Sequence, residues 1–491
     1  MNPLTTLRLP QRMHLSTVLM WMGFSFLVLF SSIFFGLVAF TANYIIITLA
    51  VGLLVGAMLL GKPTWNITLV IALGLGAGAL ISMAGPALGK VSWGISMLGF
   101  LLWIPALYGL ITSRRVPFFV WLAFFFVLYA VAVTMLQWYS FGEFISGFKR
   151  YFQASALLVT LATLALTPKQ FRQWQKLILF IALLQLPFAL YEMIFIVPER
   201  VGIVAGAELT DVIAGTFGAN LDTGSANAEM ATFLIIAFIF LFARWQEKLF
   251  SGRQLLLMAA LLLTPLFLGE TKIVVVMLPL VTMILLRDDI RNNPGRVAIF
   301  GTLALLLFFA LGFLYVFVMD KATLHEAIQG TLAYNFGNQG YGTNVLNRTT
   351  VLSFWWQEQS LSDPLSFLLG HGLGSSYSGG GALIPGHIGS LYPSYGIDLT
   401  TASTLLWDLG LVGLILYLAI LAFAWFAAVR LRRGSSDPKL RADALAIQAA
   451  IALFVLFTIY RNSGVSFMPW EIVQSVVLGY LGYLIKTQDA T

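Results

Sequence analysis

The sequence predicts an all-α polytopic membrane protein, with about fourteen transmembrane helices and one large, partly helical loop on the outer face. Three observations carry this expectation. The 491-residue chain is 59% hydrophobic and only 10% charged, and its mean hydropathy of +0.89 lies far outside the soluble range. Apolar runs of about the 20 residues needed to cross a bilayer recur along it. One long stretch, from Asp320 to Thr401, interrupts them.

The basic N-terminus MNPLTTLRLPQRMHLST leads into an apolar segment with no small-residue cleavage pattern, so that segment is expected to remain as a span. Apolar runs centre on residues 17–37, 42–61, 65–84, 92–112, 117–137, 151–167 and 177–197. An outer loop at 198–222, whose polar character continues to Asn227, carries Arg200, four acids and several glycines. Runs resume at 223–243, 254–269, 272–286 and 297–319, and after the long loop at 402–429, 444–460 and 469–485. The expected organisation is thus helices 1 to 11 within 1–319, the large loop at 320–401, and helices 12 to 14 within 402–491. No repeat of 20–50 residues is visible, which weakens a transporter built on internal symmetry.

Lys and Arg concentrate in cytoplasmic loops. With the N-terminus inside, 20 of the 28 basic residues fall on that side, every inside connection carries at least one, and both termini are cytoplasmic. The net charge of +7 then needs no anionic partner. The remaining eight (28 − 20) oppose the rule: Lys90, Lys149, Arg150, Arg200, Lys272, Lys321, Arg348 and Arg461. Each either snorkels to the outer headgroups or has a function.

The chain has no cysteine, which excludes disulfides, thiolate metal sites and Cys nucleophiles. It contains no P-loop, GxSxG, HExxH or EF-hand pattern, and no DxD cluster in its outer loops. Neither a metal nor a cofactor is expected, and no nucleic-acid partner. Separated guanidinium and ammonium groups near the outer surface suit a diphosphate, which needs two or more paired-donor contacts. A lipid diphosphate in the bilayer is the natural ligand.

Within the long loop, NVLNRTTVLSFWWQEQS reads as an amphipathic helix with Arg348, Leu352 and Trp355 on one face at i, i+4 and i+7. It lies along the outer interface, with Arg348 either meeting lipid phosphate or facing a cavity that holds substrate phosphate. In DPLSFLLGHGLGSS, glycines flank His371 in a turn and allow a ligand to approach the backbone closely. His387 and Asp398 precede the twelfth span, and GETK places Glu270 and Lys272 between two apolar segments near the outer surface.

The order of these features resembles the O-antigen polymerase and O-antigen ligase superfamily: an Arg-containing outer loop before GTFGAN, a GETK turn, a long outer loop with Arg–Trp–DPL–GHGLGS, then LLWDLGLVGLILYL. The match covers roughly residues 140 to 425. The resemblance implies a metal-independent, C-type glycosyltransferase-like membrane enzyme of the bacterial inner membrane. It would join undecaprenyl-diphosphate-linked oligosaccharides at the periplasmic face, from a lipid-linked donor to a lipid-linked acceptor, with a flippase and a chain-length regulator as partners. The diphosphate would be held by Arg150, Arg200 and Arg348, with Lys149 and Lys272 assisting, and catalysis would draw on Arg348, His371, His387 and Asp398. Where ligases carry a His–Asn pair, this chain reads DLTTAST. That departure favours a polymerase of O-antigen, capsule or exopolysaccharide over a ligase acting on lipid A core. The alternative from another class is a flippase of lipid-linked oligosaccharide.

Overall fold

The structure, a computed structural model, describes residues 58–83, 91–113, 115–200, 209–221, 226–269, 271–295, 344–359, 363–379 and 384–488, with a few isolated positions besides. The expected spans at 17–37, 42–61 and 297–319, together with Lys90, Glu270, Lys321 and the start of the long loop, lie wholly or almost wholly outside the described residues.

The described chain is helical throughout its regular structure. Helices α1 (Pro63–Met83), α2 (Val91–Leu101), α3 (Trp103–Thr112) and α4 (Phe118–Leu136) precede a broken pair, α5 (Phe141–Phe152) and α6 (Ser155–Thr163). Then come α7 (Pro168–Tyr191), α8 (Asn227–Gln246), α9 (Gly252–Leu268) and α10 (Val274–Leu285). The long loop contributes three short helices, α11 (Thr350–Glu358), α12 (Pro364–Leu369) and α13 (His387–Leu391). Helices α14 (Thr401–Gly434), α15 (Pro438–Tyr460) and α16 (Met468–Gln488) close the chain.

Local chemistry sets many of these limits. Thr167 and Gln170 form a capping box with Pro168 in the first turn of α7, and Ser251 with Gln254 does the same for α9. Pro187 removes a backbone donor inside α7, which ends in a wider turn at Glu192–Ile196. Asp437 caps α15 through Lys439 N at 3.0 Å.

Seven helices among the described residues are long and apolar enough to cross a membrane: Pro63–Met83, Val91–Thr112, Phe118–Leu136, Pro168–Ile196, Asn227–Gln246, Thr401–Gly434 and Pro438–Tyr460. The chain is a multi-pass membrane protein, but the expectation of about fourteen spans is corrected. Three of the segments expected to cross are too short or interrupted. The run at 151–167 splits at Gln153–Ala154 into α5 and α6, while α9 and α10 have only 17 and 12 residues, less than bilayer thickness requires. Helix α16 is not among the seven either. It is sheathed by α6 and other helices and buries Glu471 and Gln474, polar groups that a lipid-facing surface would exclude.

Polar contacts sort the bundle into two ends. At one, Arg244 pairs with Asp443 at 2.8 Å, Arg441 with Glu247 at 3.0 Å, and Arg432 with Asp288. At the other, Arg461 after α15 reaches Asn227 at the start of α8, and its carbonyl accepts from Thr401 N at 2.9 Å at the start of α14. The described part of the long loop sits on this second end. Its small core, Leu346, Val351, Trp355, Phe367, Ile388 and Ile397, is completed by Leu406 and Trp407 of α14, so the loop borrows apolar surface from the bundle it covers.

Candidate functional site

The site is built around an interruption in α14. Gly410 has φ 67° and ψ −171°, a conformation that breaks the helical ladder and frees carbonyls in the preceding turn. The loop satisfies them: His371 N donates to Trp407 O at 3.0 Å and Gly372 N to Asp408 O at 2.8 Å, while Tyr129 Oη donates to Leu409 O at 2.8 Å. The buried Asp408 carboxylate accepts from Tyr151 Oη (2.9 Å), Gly374 N (3.0 Å), Ser375 Oγ (2.9 Å) and Ser376 N (2.7 Å). It is the hub that docks GHGLGSS.

The glycines of that segment are explained by the same docking. Gly370, Gly372 and Gly374 have φ of 73°, 94° and 83°, and a Cβ on Gly370 would stand 2.5 Å from the Asp408 carbonyl carbon. The close approach expected for a ligand is made by the protein's own backbone.

Around this scaffold lie the cations expected to bind diphosphate. Arg150, Arg200 and Arg348, at 4%, 2% and 9% exposure, are the buried arginines among the described residues. The Arg150 guanidinium stands 3.8 Å from the ring centroid of Tyr377 and 3.9 Å from Asp398 Oδ2, and no side chain or carbonyl hydrogen-bonds it among the described residues. Asp398 also accepts from Ser378 Oγ at 2.8 Å, and its carbonyl meets Thr404 of α14. Arg348 donates from Nε to Tyr460 O at 2.8 Å and lies over the Tyr460 ring at 4.2 Å. Arg200 donates to Leu209 O at 3.4 Å. Asn227 links that segment onward, donating to Asp211 at 3.1 Å and accepting from Arg461 at 3.5 Å. Arg150, Arg348 and Arg461 thus gather at the first turns of α14, and Arg200 joins through the 209–211 segment. Lys149 is half-buried over Trp93, 5.4 Å from its centroid. Lys272 is exposed, on the turn whose Gly269 carbonyl faces Asn227.

Arg348 departs from its expected setting. It precedes α11 rather than sharing its face, because the Asn347 side chain accepts from Thr349 N at 3.0 Å and Thr350 N at 2.8 Å and starts the helix at Thr350. The helix does not simply lie along an interface: Trp355 is buried, stacked 5.1 Å from Phe367.

The two histidines come together 6.2 Å apart with rings nearly perpendicular. His387 is held by the buried Glu143: its Nδ1 is 2.9 Å from Oε1, and its backbone N donates to Oε2 at 2.8 Å. Its ring stacks on Tyr139 at 4.4 Å. His371 stands 2.9 Å from the Gln359 amide nitrogen and stacks on Trp407. Burial, and next the neighbouring His387, hold the His371 pKa below the ordinary 6.5.

Sequence reasoning missed Glu143, Tyr377 and Tyr460, and left Arg461 among the eight opposing cations without a specific role. The available signal for Glu143 was its place in FGEF seven residues before Arg150, hence on the same face of α5. Among the described residues no group of three His, Cys, Asp or Glu side chains converges as a metal site would need. Set beside known proteins, the chain matches no protein-family model and no curated sequence.

Proposed function

We propose that this protein is a membrane glycosyltransferase that polymerises undecaprenyl-diphosphate-linked oligosaccharide repeat units at the periplasmic face of the bacterial inner membrane, with both termini cytoplasmic. The observation that carries this reading is the burial of Arg150, Arg200 and Arg348 at the loop-bearing end. Arg150 in particular is oriented by an aromatic face and a carboxylate at 3.9 Å. A guanidinium held this way keeps its donors for phosphate oxygens. In the reaction, the arginines stabilise the charge that develops on the lipid diphosphate as it leaves C1 of the donor sugar. The acceptor hydroxyl of a second lipid-linked repeat forms the new bond and gives up its proton.

Reconstitution of the full chain with a lipid-linked repeat unit tests the reading, the expected product being a ladder of longer glycans. Arg150→Ala and Arg348→Ala should each lower polymer formation about 100-fold or more while the protein stays folded. Normal ladders from both variants would sink the proposal. Transfer to lipid A core would instead indicate a ligase, and movement of the lipid without new bonds a flippase.

A further inference from the structure

A second constellation stands outside the arginine cluster, where the loop meets the start of α5. Glu143 is 4% exposed and spends both carboxylate oxygens on one residue, Oε1 on His387 Nδ1 at 2.9 Å and Oε2 on His387 N at 2.8 Å. A simple pin for the 384–391 segment would need only the backbone contact. The second contact fixes the ring as well, because a carboxylate can only accept and so requires the proton on Nδ1. A neutral His387 then carries its free lone pair on Nε2. Tyr139 covers one ring face at 4.4 Å, and His371 stands edge-on at 6.2 Å. The imidazole side chain retains 22% exposure although its partner carboxylate has 6%. A buried acid behind a reachable imidazole is the arrangement used to aim a proton acceptor.

Position along α5 joins this pair to the diphosphate site. Glu143 and Arg150 are seven residues apart on one face, about 10 Å along the axis at 1.5 Å per residue. A guanidinium–phosphate contact, the bond to the sugar C1, a near-attack gap of about 3–3.5 Å and a base-to-hydroxyl hydrogen bond of about 2.6–3.2 Å span a length of that order. The backbone of Leu373–Gly374 packs against Gly147 between the two ends, so one loop segment sets both.

We propose that Glu143 is a positioning residue for glycosyl transfer: it holds His387 with the proton on Nδ1, so that Nε2 accepts the proton of the acceptor sugar hydroxyl. This rests on the glycosyltransferase reading above. The O–H bond of the acceptor breaks as its oxygen bonds to the donor C1. The C1–O bond to phosphate breaks with its electron pair leaving on the lipid diphosphate, and His387 passes the proton to water. Asp398 is a less suitable acceptor, since it is already committed to Ser378 and Arg150. Among the described residues, the charged, titratable or hydrogen-bonding groups facing the pair are Ser140, Tyr139, His371 and, through His371, Gln359 and Asp363.

Two measurements on the full-length protein test this. In liposomes supplied with undecaprenyl-diphosphate-linked oligosaccharide, His387→Gln should lower kcat about 100-fold or more. Glu143→Gln should lower it about 10-fold or more, with KM for the lipid donor within about twofold of wild type, and Glu143→Asp should recover part of the loss. In detergent without substrate, nitrogen NMR of labelled histidines should find His387 protonated on Nδ1, and Glu143→Gln should mix the tautomers. A wild-type kcat in Glu143→Gln, or a loss that appears only as raised KM or reduced folded protein, would overturn the inference while leaving the polymerase reading intact. Absence of any glycosyl transfer by the wild type would defeat the polymerase reading, and an unchanged His387 tautomer in Glu143→Gln would refute the positioning role without reference to turnover.

Discussion

A guanidinium removed from water ordinarily demands close hydrogen-bonding partners, yet among the described residues Arg150 is met by the Tyr377 ring at 3.8 Å and by Asp398 at 3.9 Å. Arg348 is set between a carbonyl and the ring of one residue, Tyr460. An aromatic face attracts such a cation without consuming its N–H groups, which is why Arg150 can be buried and still serve an anion. His371 illustrates the opposite requirement. Its pKa is held below the ordinary 6.5 by burial and then by His387, and the Gln359 amide nitrogen at 2.9 Å can only donate to its ring. The unfolded chain therefore takes up this proton first as pH falls. The stability His371 contributes is intact above 6.5 and is lost as pH drops from there towards the lower folded value. Thermal unfolding in detergent from about pH 7.5 to about pH 5 should destabilise the wild type more than His371→Gln, and equal losses would assign the acid sensitivity to other groups. At this scale the cations of the candidate site were legible, since the charge distribution set Arg150, Arg200 and Arg348 apart from the majority of the basic residues. Their aromatic partners and Glu143 were not, because a tyrosine or an acid in an apolar chain carries no local mark of what it faces.

The element that organises the site is α14, whose 34 residues form two helical segments joined at the non-helical Gly410; the part after the break is about 36 Å at 1.5 Å per residue, enough for a bilayer core of about 30 Å. Its break at Gly410 separates a loop-bearing first segment from the membrane-crossing remainder. The freed carbonyls and Asp408 then bind the 370–376 segment. Gly410→Ala would force a Cβ to 2.3 Å from the Leu368 backbone at φ 67°. Strain and overpacking together cost about 2–4 kcal/mol, so a lower unfolding temperature and faster proteolysis within 363–379 are expected, and wild-type behaviour in both would refute the docking role of the break. The sequence reads 402–429 as one span, since Gly410 and Gly413 in an apolar run are each compatible with helix or kink. What it would meet at 410 depends on Leu368, which is 42 positions away by subtraction.

For the whole molecule, six of the described basic residues fall at two polar ends, Arg244, Arg432 and Arg441 at one and Arg150, Arg348 and Arg461 at the other. The absence of cysteine permits a direct test. Gln357→Cys in α11 and Lys439→Cys at the start of α15, both exposed positions, should react oppositely with a membrane-impermeant maleimide. The first should label in intact spheroplasts and the second only after permeabilisation, and the reverse pattern would invert the topology.

Composition and apolar periodicity by themselves determined that this is a helical multi-pass membrane protein, and the distribution of Lys and Arg singled out the cations of the candidate site. These properties are local sums over hydrophobicity and charge. Only the tertiary structure decided that seven described helices are long and apolar enough to cross, that α16 can bury Glu471 inside the bundle, and that Glu143 meets His387. Those outcomes depend on which distant groups share a low-dielectric interior. There a polar atom persists only when another part of the chain supplies its partner.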